Sequence, residues 1–460
     1  MHSVKLTMAK IIMVLFVACG LQMSAKAQEN SPYSRYGLGD LAPNHNVFTR
    51  GMGGVSAGVA DFITFNTLKL PNSNSINFTN PASLSTIRNT IFDVGTEIDY
   101  RIIKSRNPAK RFTSANTYVS YLQLAFPLTT RKMAKKGMSW GMSMGLKPVS
   151  KINFKIIENK RDLNLGDSIS TLYEGNGGVN QANLGTGFRY KNLSIGINAG
   201  YMFGSKNVSS IRSIVNDSVF YYTSNHADET TFGGLFINGG IQYDLALAKD
   251  EKNNITKNLR LGVYGNLQHN LNASNDLIRE VIIYDQNGNQ FQLDSVYENN
   301  VKGKIKYPAM VTVGAVYQDV NWLVGADIEY GNWANYRYYG KTDQVQNNWT
   351  IRVGTQYYPA NENKPVKKYF NYVKYRAGFY YGPDYIKTNA NRPEYGFTIG
   401  TGMPLTSIKR LNPYAGYVIL NTALEFGSRG NKQTNLRESL VRFSLGVSMN
   451  ASWFQKPKYN

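Results

Sequence analysis

Gly141-Met142-Ser143-Met144-Gly145 has the Gly-x-Ser-x-Gly spacing with which hydrolases expose a nucleophilic serine on a sharp strand-to-helix corner. Here Trp140, Met142, Met144 and Leu146 alternate with small residues, the pattern of one uninterrupted strand, so the serine faces a crowded wall and not an elbow. Beyond the N-terminal leader described below, the histidines are His45, His226 and His269, far apart and without a metal-type spacing. Gly340-Lys341-Thr342 lacks the upstream glycine of a phosphate loop, since Asn335 stands there. No enzyme, metal or cofactor is expected from these residues.

The element that holds Ser143 repeats along the chain. From Val441, the residues Phe443, Leu445, Val447, Met449, Ala451 and Trp453 fall on one face, and Arg442, Ser444, Gly446, Ser448 and Asn450 on the other. Phe92, Val94, Thr96, Ile98 and Tyr100 likewise oppose Asp93, Gly95, Glu97, Asp99 and Arg101. A period of two with one greasy face is what a barrel wall between lipid and lumen requires. Fourteen such segments are predicted, near 91–103, 116–127, 138–150, 181–190, 193–205, 232–246, 259–269, 308–318, 321–331, 347–358, 372–382, 394–404, 412–427 and 438–454. The fold class is therefore all-β, a transmembrane antiparallel barrel. Lys191-Asn192 and Asp319-Val320 read as short periplasmic turns, and 151–180, 206–231 and 270–307 as long external loops.

Residues 1–27 read as a secretory leader, with Lys5 and Lys10 before an apolar run and Ala25-Lys26-Ala27 as the cut site. Acylation at Cys19, the one cysteine, is the weaker alternative, because Phe16 suits a lipobox poorly. No later run is long and apolar enough for a spanning helix. Together with 32 Tyr, 21 Phe and 42 Gly, this places the chain in a Gram-negative outer membrane. The formal charge of +21 is spread through loops such as Lys155 to Arg161 and Lys364 to Lys368. It fits lipopolysaccharide phosphates and anionic outer-membrane lipids as partners, with nucleic acid excluded by export.

The stretch 28–90 is too long for a tail and is expected to plug the lumen of a barrel running from 91 to 460. Its Gly51-Met52-Gly53-Gly54, Ala57-Gly58-Val59-Ala60-Asp61 and Asn80-Pro81-Ala82-Ser83-Leu84 resemble the hatch of FadL-type outer-membrane transporters, and Ser31-Pro32-Tyr33-Ser34-Arg35-Tyr36-Gly37 is similar to the opening of uncharacterised FadL-like barrels. The extra segment Phe62 to Asn77 departs from that pattern. The tail beyond Trp453-Phe454 departs from the terminal aromatic that the outer-membrane assembly machinery reads.

The resemblance implies fourteen strands and passive uptake of a hydrophobic, fatty-acid-like molecule. Gly51, Gly53, Gly54, Asn80, Pro81 and Ala82 would then act as plug and gate. Members of that family release substrate sideways where the third strand is distorted, and Lys147-Pro148 falls on the third strand here, making it the candidate lateral opening. A FadL-like barrel that transports nothing and docks proteins for secretion or surface assembly is the rival expectation, and an open porin the third.

Overall fold

The computed structural model describes residues 31–60, 75–106, 109–162, 166–216, 219–249, 251, 255–284, 289–360, 368–388, 390–405, 417–431, 433–434 and 436–451. The leader, Cys19, Asp61, most of the 62–77 insert and Trp453-Phe454 lie outside these residues.

Sixteen long strands follow the plug: β1 Thr90–Arg106, β2 Ala109–Pro127, β3 Met138–Arg161, β4 Ser168–Tyr190, β5 Leu193–Val215, β6 Thr223–Lys249, β7 Ile255–Asn266, β8 His269–Tyr284, β9 Gln290–Tyr307, β10 Met310–Gln318, β11 Trp322–Gly331, β12 Asn348–Tyr357, β13 Lys374–Pro383, β14 Pro393–Pro404, β15 Tyr417–Arg429 and β16 Leu436–Ala451. Fourteen of them close a cylinder: β7 pairs with β10, β11 with β12, and β16 returns to β1 from Leu436↔Ser105 to Ala451↔Thr90. All fourteen predicted segments are present.

The remaining two strands correct the reading of 270–307 as a loop. That segment is a hairpin, β8 and β9, standing above β7 and β10, with β8 continuing the wall on β6 from Thr223↔Ile282 to Gly233↔Asn272. The segments 151–180 and 206–231 are also mostly strand, because β3, β4, β5 and β6 run for 24, 23, 23 and 27 residues. Crossing a bilayer takes about 9–11 residues of tilted strand, so these four project far beyond the lipid as a collar. Strands β10 to β13 have only nine or ten residues and end near it.

The lipid level is marked by aromatic pairs. Trp322 and Tyr357 are partners at one end of β11–β12, and Tyr330 and Trp349 at the other, with Val324, Ile328, Ile351 and Val353 exposed between them. Eight residue steps make about 27 Å along the strand. After tilt this approaches the ~25 Å apolar band of such barrels.

Candidate functional site

The plug fills the lumen as a series of short turns. Asn46 caps one helical turn, Val47–Arg50, by accepting the Thr49 N–H at 2.8 Å. The chain then reverses at Gly53 and Gly54, whose φ of +68° and +86° only glycine adopts without strain. Gly51 stays helical, and its need for glycine is space, since a Cβ would lie 3.3 Å from the Gly400 Cα. Asn80 opens the 3-10 turn Pro81–Thr86 and donates to the Ala57 carbonyl at 2.7 Å, a bond within the plug and not to the wall. Pro81 and Ala82 lie against Gly196 and Gly240 of β5 and β6, where any Cβ would collide with them. Gly141-Met142-Ser143-Met144-Gly145 sits mid-strand in β3, with Gly141 under the Leu84 carbonyl.

Charge fastens the plug to β1, β15 and β16. Arg50 pairs with Glu97, and Arg442 joins Asp99 at 2.5 Å to Glu425 at 3.0 Å. Asp40 pairs with Arg101 and with Arg429 at 2.6 Å, and the Ser31 hydroxyl donates to Glu438 at 2.6 Å. Arg101 and Arg429 hold the Asp40 carboxyl well below the usual carboxylate range, overcoming its burial. Burial, with Arg352, Arg50 and Lys147 nearby, pushes the His45 imidazole well below its ordinary value, so it stays neutral. Elsewhere the wall uses single acceptors and amides. Asp327 accepts the Ser56 and Ala57 N–H groups at 2.6 and 2.9 Å. Gln242, Asn198 and Asn238 donate to the carbonyls of Ala57, Phe78 and Thr79 at 2.8, 3.1 and 3.0 Å. Asp93, Glu97, Asp99, Arg101 and Arg442 are inward positions on the strand pattern; the pairing of Asp93, Glu97 and Arg101 with plug residues, and of Asp99 with Arg442, is visible only in three dimensions.

Beside the plug the wall has a seam. β2 and β3 pair only from Leu122↔Leu146 to Pro127↔Gly141, whereas β3 and β4 pair along their whole length with one irregularity between Pro148 and Ser150. A second irregularity, between Gly95 and Thr96 of β1, leaves Ser120 of β2 out of register. Above Lys147 the free edge of β3 is covered by the plug. Asp40 and Leu41 pair with Lys151 and Ser150, the Ala42 N–H donates to the Val149 carbonyl at 2.9 Å, and the Asn153 N–H donates to the Ser34 hydroxyl at 3.2 Å. Lys147 is buried, and its ammonium donates to the Asn44 side chain.

A cavity of about 200 Å³ remains between plug and wall. Lys147 and Pro148 border it, with Arg352, Arg429, Arg442 and Glu329 among its lining. Among the described residues no cluster of His, Cys, Asp and Glu could hold a metal ion.

A closed fourteen-strand cylinder with an inward N-terminal plug and an exposed aromatic-edged band defines an outer-membrane barrel of the FadL type. Solved structures agree on the fold. The Pseudomonas putida toluene transporter TodX is 18% identical with a TM-score of 0.52, over 91% of this chain and 100% of that one. A Pseudomonas aeruginosa FadL homologue is 14% identical with a TM-score of 0.52, and the CymD monoaromatic hydrocarbon channel is 14% identical with a TM-score of 0.50, each over 91% of this chain and 100% of the other. The chain belongs to the BamG family, whose model matches residues 8–460. No curated protein matches it. It is an outer-membrane protein, and its structural neighbours are channels, not enzymes.

Proposed function

We propose that this barrel is a docking partner or scaffold for surface or outer-membrane assembly, with its lumen held shut. The observation that carries the reading is the ion-paired plug. Arg50 is buried against Glu97 of β1, and the largely covered Asp40 pairs with Arg101 of β1 and Arg429 of β15, on either side of the closing strand. Removing one member of such a pair costs about 3–5 kcal/mol, and an apolar solute has nothing to put in its place. The cavity of about 200 Å³ is smaller than the ~300–1,000 Å³ of ordinary ligand sites, and Arg352, Arg429, Arg442 and Glu329 share its lining with Phe78, Phe236, Tyr307 and Trp333. The collar supplies a large external surface, and the family name BamG is in keeping with a link to the outer-membrane assembly machinery. The division adopted is a leader at 1–27, the plug at 28–90 and the barrel at 91–460.

The seam favours a second reading, passive uptake of a hydrophobic, fatty-acid-like molecule that leaves sideways beside Lys147 and Pro148. Gly51, Gly53, Gly54, Asn80, Pro81 and Ala82 would then be the gate. TodX is a toluene transporter and CymD a monoaromatic hydrocarbon channel, which accords with it.

One variant separates the two. Leu41 and Ser150 are directly opposed, and antiparallel partners about 4.5–5.5 Å apart at Cα suit a disulfide. Leu41→Cys with Ser150→Cys staples the plug across the seam. In cells lacking the native copy, the stapled protein is expected to restore the amounts of other barrels in the outer membrane. If instead labelled oleate uptake stops on stapling and returns with reductant, transport is the function. If stapled protein that is still folded no longer supports the other barrels, the sealed scaffold is wrong.

A further inference from the structure

The outer face of β9 carries three lysines in step. Lys302, Lys304 and Lys306 alternate with Gly303, Ile305 and Tyr307, of which Ile305 and Tyr307 are buried inward. The three side chains therefore point away from the lumen. Their row is fixed by the register across the sheet. Lys306 opposes Asn270, Lys304 opposes Asn272 and Lys302 opposes Ser274. Asn272 opposes Gly233, and Gly233 opposes Phe203; Leu235, two residues further down β6, opposes Tyr201. Leu235 and Tyr201 are exposed members of the greasy belt, and Phe203, one row higher, is exposed as well. By register Lys306 lies in the row of Leu235 and Tyr201, Lys304 in that of exposed Phe203, the last apolar row, and Lys302 one row above it, where headgroups replace acyl chains.

The stripe is built, not incidental. Arg337 pairs with Lys306 on the far side, so a fourth cation joins the lowest row. Tyr339 lies beneath Gly303 and donates its hydroxyl to the Val301 carbonyl at 3.0 Å, which backs the strand from inside. The nearest outward acids, Glu229 and Asp276, oppose one another one row higher, and Asp276 is engaged by the Asn300 N–H at 2.6 Å. Alternate residues on a strand are about 7 Å apart, so the three ammonium groups span about 13 Å, enough for two phosphates on one headgroup. Asn270 and Asn272 add neutral donors beside them, while the Ser274 hydroxyl donates to the Asn300 side chain at 2.7 Å.

We propose that Lys302, Lys304 and Lys306, with Arg337, bind the phosphate groups of a phosphorylated glycolipid in the outer leaflet. The site fixes the barrel to its lipid on the side where the collar begins, and it is independent of what the lumen does.

The test uses the full chain in mild detergent, with purified bisphosphorylated lipid A as probe and its phosphate-free form as comparison. Lys302→Gln with Lys304→Gln and Lys306→Gln is expected to weaken binding at least tenfold at low salt, and the wild type is expected to bind the phosphate-free lipid no better than this variant binds lipid A. The single substitution Lys304→Gln moves affinity in the same direction by less, and retained heat-modifiable mobility on a gel verifies folding of each variant. Lys132→Gln with Lys135→Gln and Lys136→Gln, at the opposite rim, leaves affinity unchanged. Wild-type affinity in the triple variant, equal binding of the phosphate-free lipid, or an equal loss in the opposite-rim variant overturns the site. Displacement of lipid A by millimolar inorganic phosphate alone assigns the lysines to free phosphate and overturns the lipid as the ligand.

Discussion

Around the lumen the plug meets two different walls. Along β1, β15 and β16 it is held by paired charges, Asp40 and Arg50 against Arg101, Arg429 and Glu97. Along β4, β5 and β6 it is held by backbone nearness and amides, with Gly187, Gly196 and Gly240 clearing space for Pro81 to Ser85 while Asn198, Asn238 and Gln242 bond carbonyls. The difference is one of consequence. A desolvated charge that loses its partner has no cheap refuge, whereas a carbonyl that loses an amide donor can take a water. The first wall decides whether the plug can leave, and the second decides where it sits.

The contrast is open to breakage at graded depth. Arg442→Ala strands Asp99 and Glu425 and is expected to lower stability by about 3–5 kcal/mol, read as a fall in the melting temperature of the detergent-solubilised barrel. Asp327→Asn keeps the shape but removes charge from two plug N–H bonds, at a cost of about 1.5–3 kcal/mol by the same measurement. Asn238→Ala on the second wall is expected to cost about 1 kcal/mol, and an effect as large as that of Arg442→Ala would erase the distinction between the walls.

An effect of similar size to that of Asn238→Ala comes with pH. The folded protein keeps His45 neutral, so once pH falls below its ordinary value of 6.5 the unfolded chain binds a proton that the folded one refuses. Stability contributed by His45 is full above that value and declines beneath it, by at most about 1.4 kcal/mol per pH unit. His45→Gln should flatten the difference between melting temperatures at pH 7.5 and 5.5, and an unchanged slope would remove His45 from the account.

The strand alternation sufficed for the cylinder because lipid and lumen impose opposite polarity on neighbouring residues. It failed at β8 and β9 for the converse reason. Above the lipid the outer face is wet, so Asn270, Asn272 and Ser274 look like loop composition although they sit in a ladder whose inner face, with Leu271 and Ala273, is buried. The plug residues Gly51, Gly53, Gly54 and Asn80 to Ala82 stood out by type, as turn formers and a cap. Their partners did not, since Asp40 and Arg429 are 389 residues apart in sequence and nothing local in either predicts the other. Inward charges such as Glu97 and Arg442 on an otherwise small-residue face were the available sign of a lumen filled by protein.

The link between Arg442 of β16 and Asp99 of β1 bears on biogenesis. These strands meet only when the last hairpin is laid beside the first, and the same row of side chains receives Arg50 through Glu97. An insertion intermediate still open along that line would keep Arg442 with Glu425 and Asp99 with Arg101, but Glu97 would lack both of its guanidinium partners, Arg50 and Arg442. Cylinder closure and entry of the N-terminal segment therefore complete the same row of side chains, with Glu97 as the residue that both events neutralise.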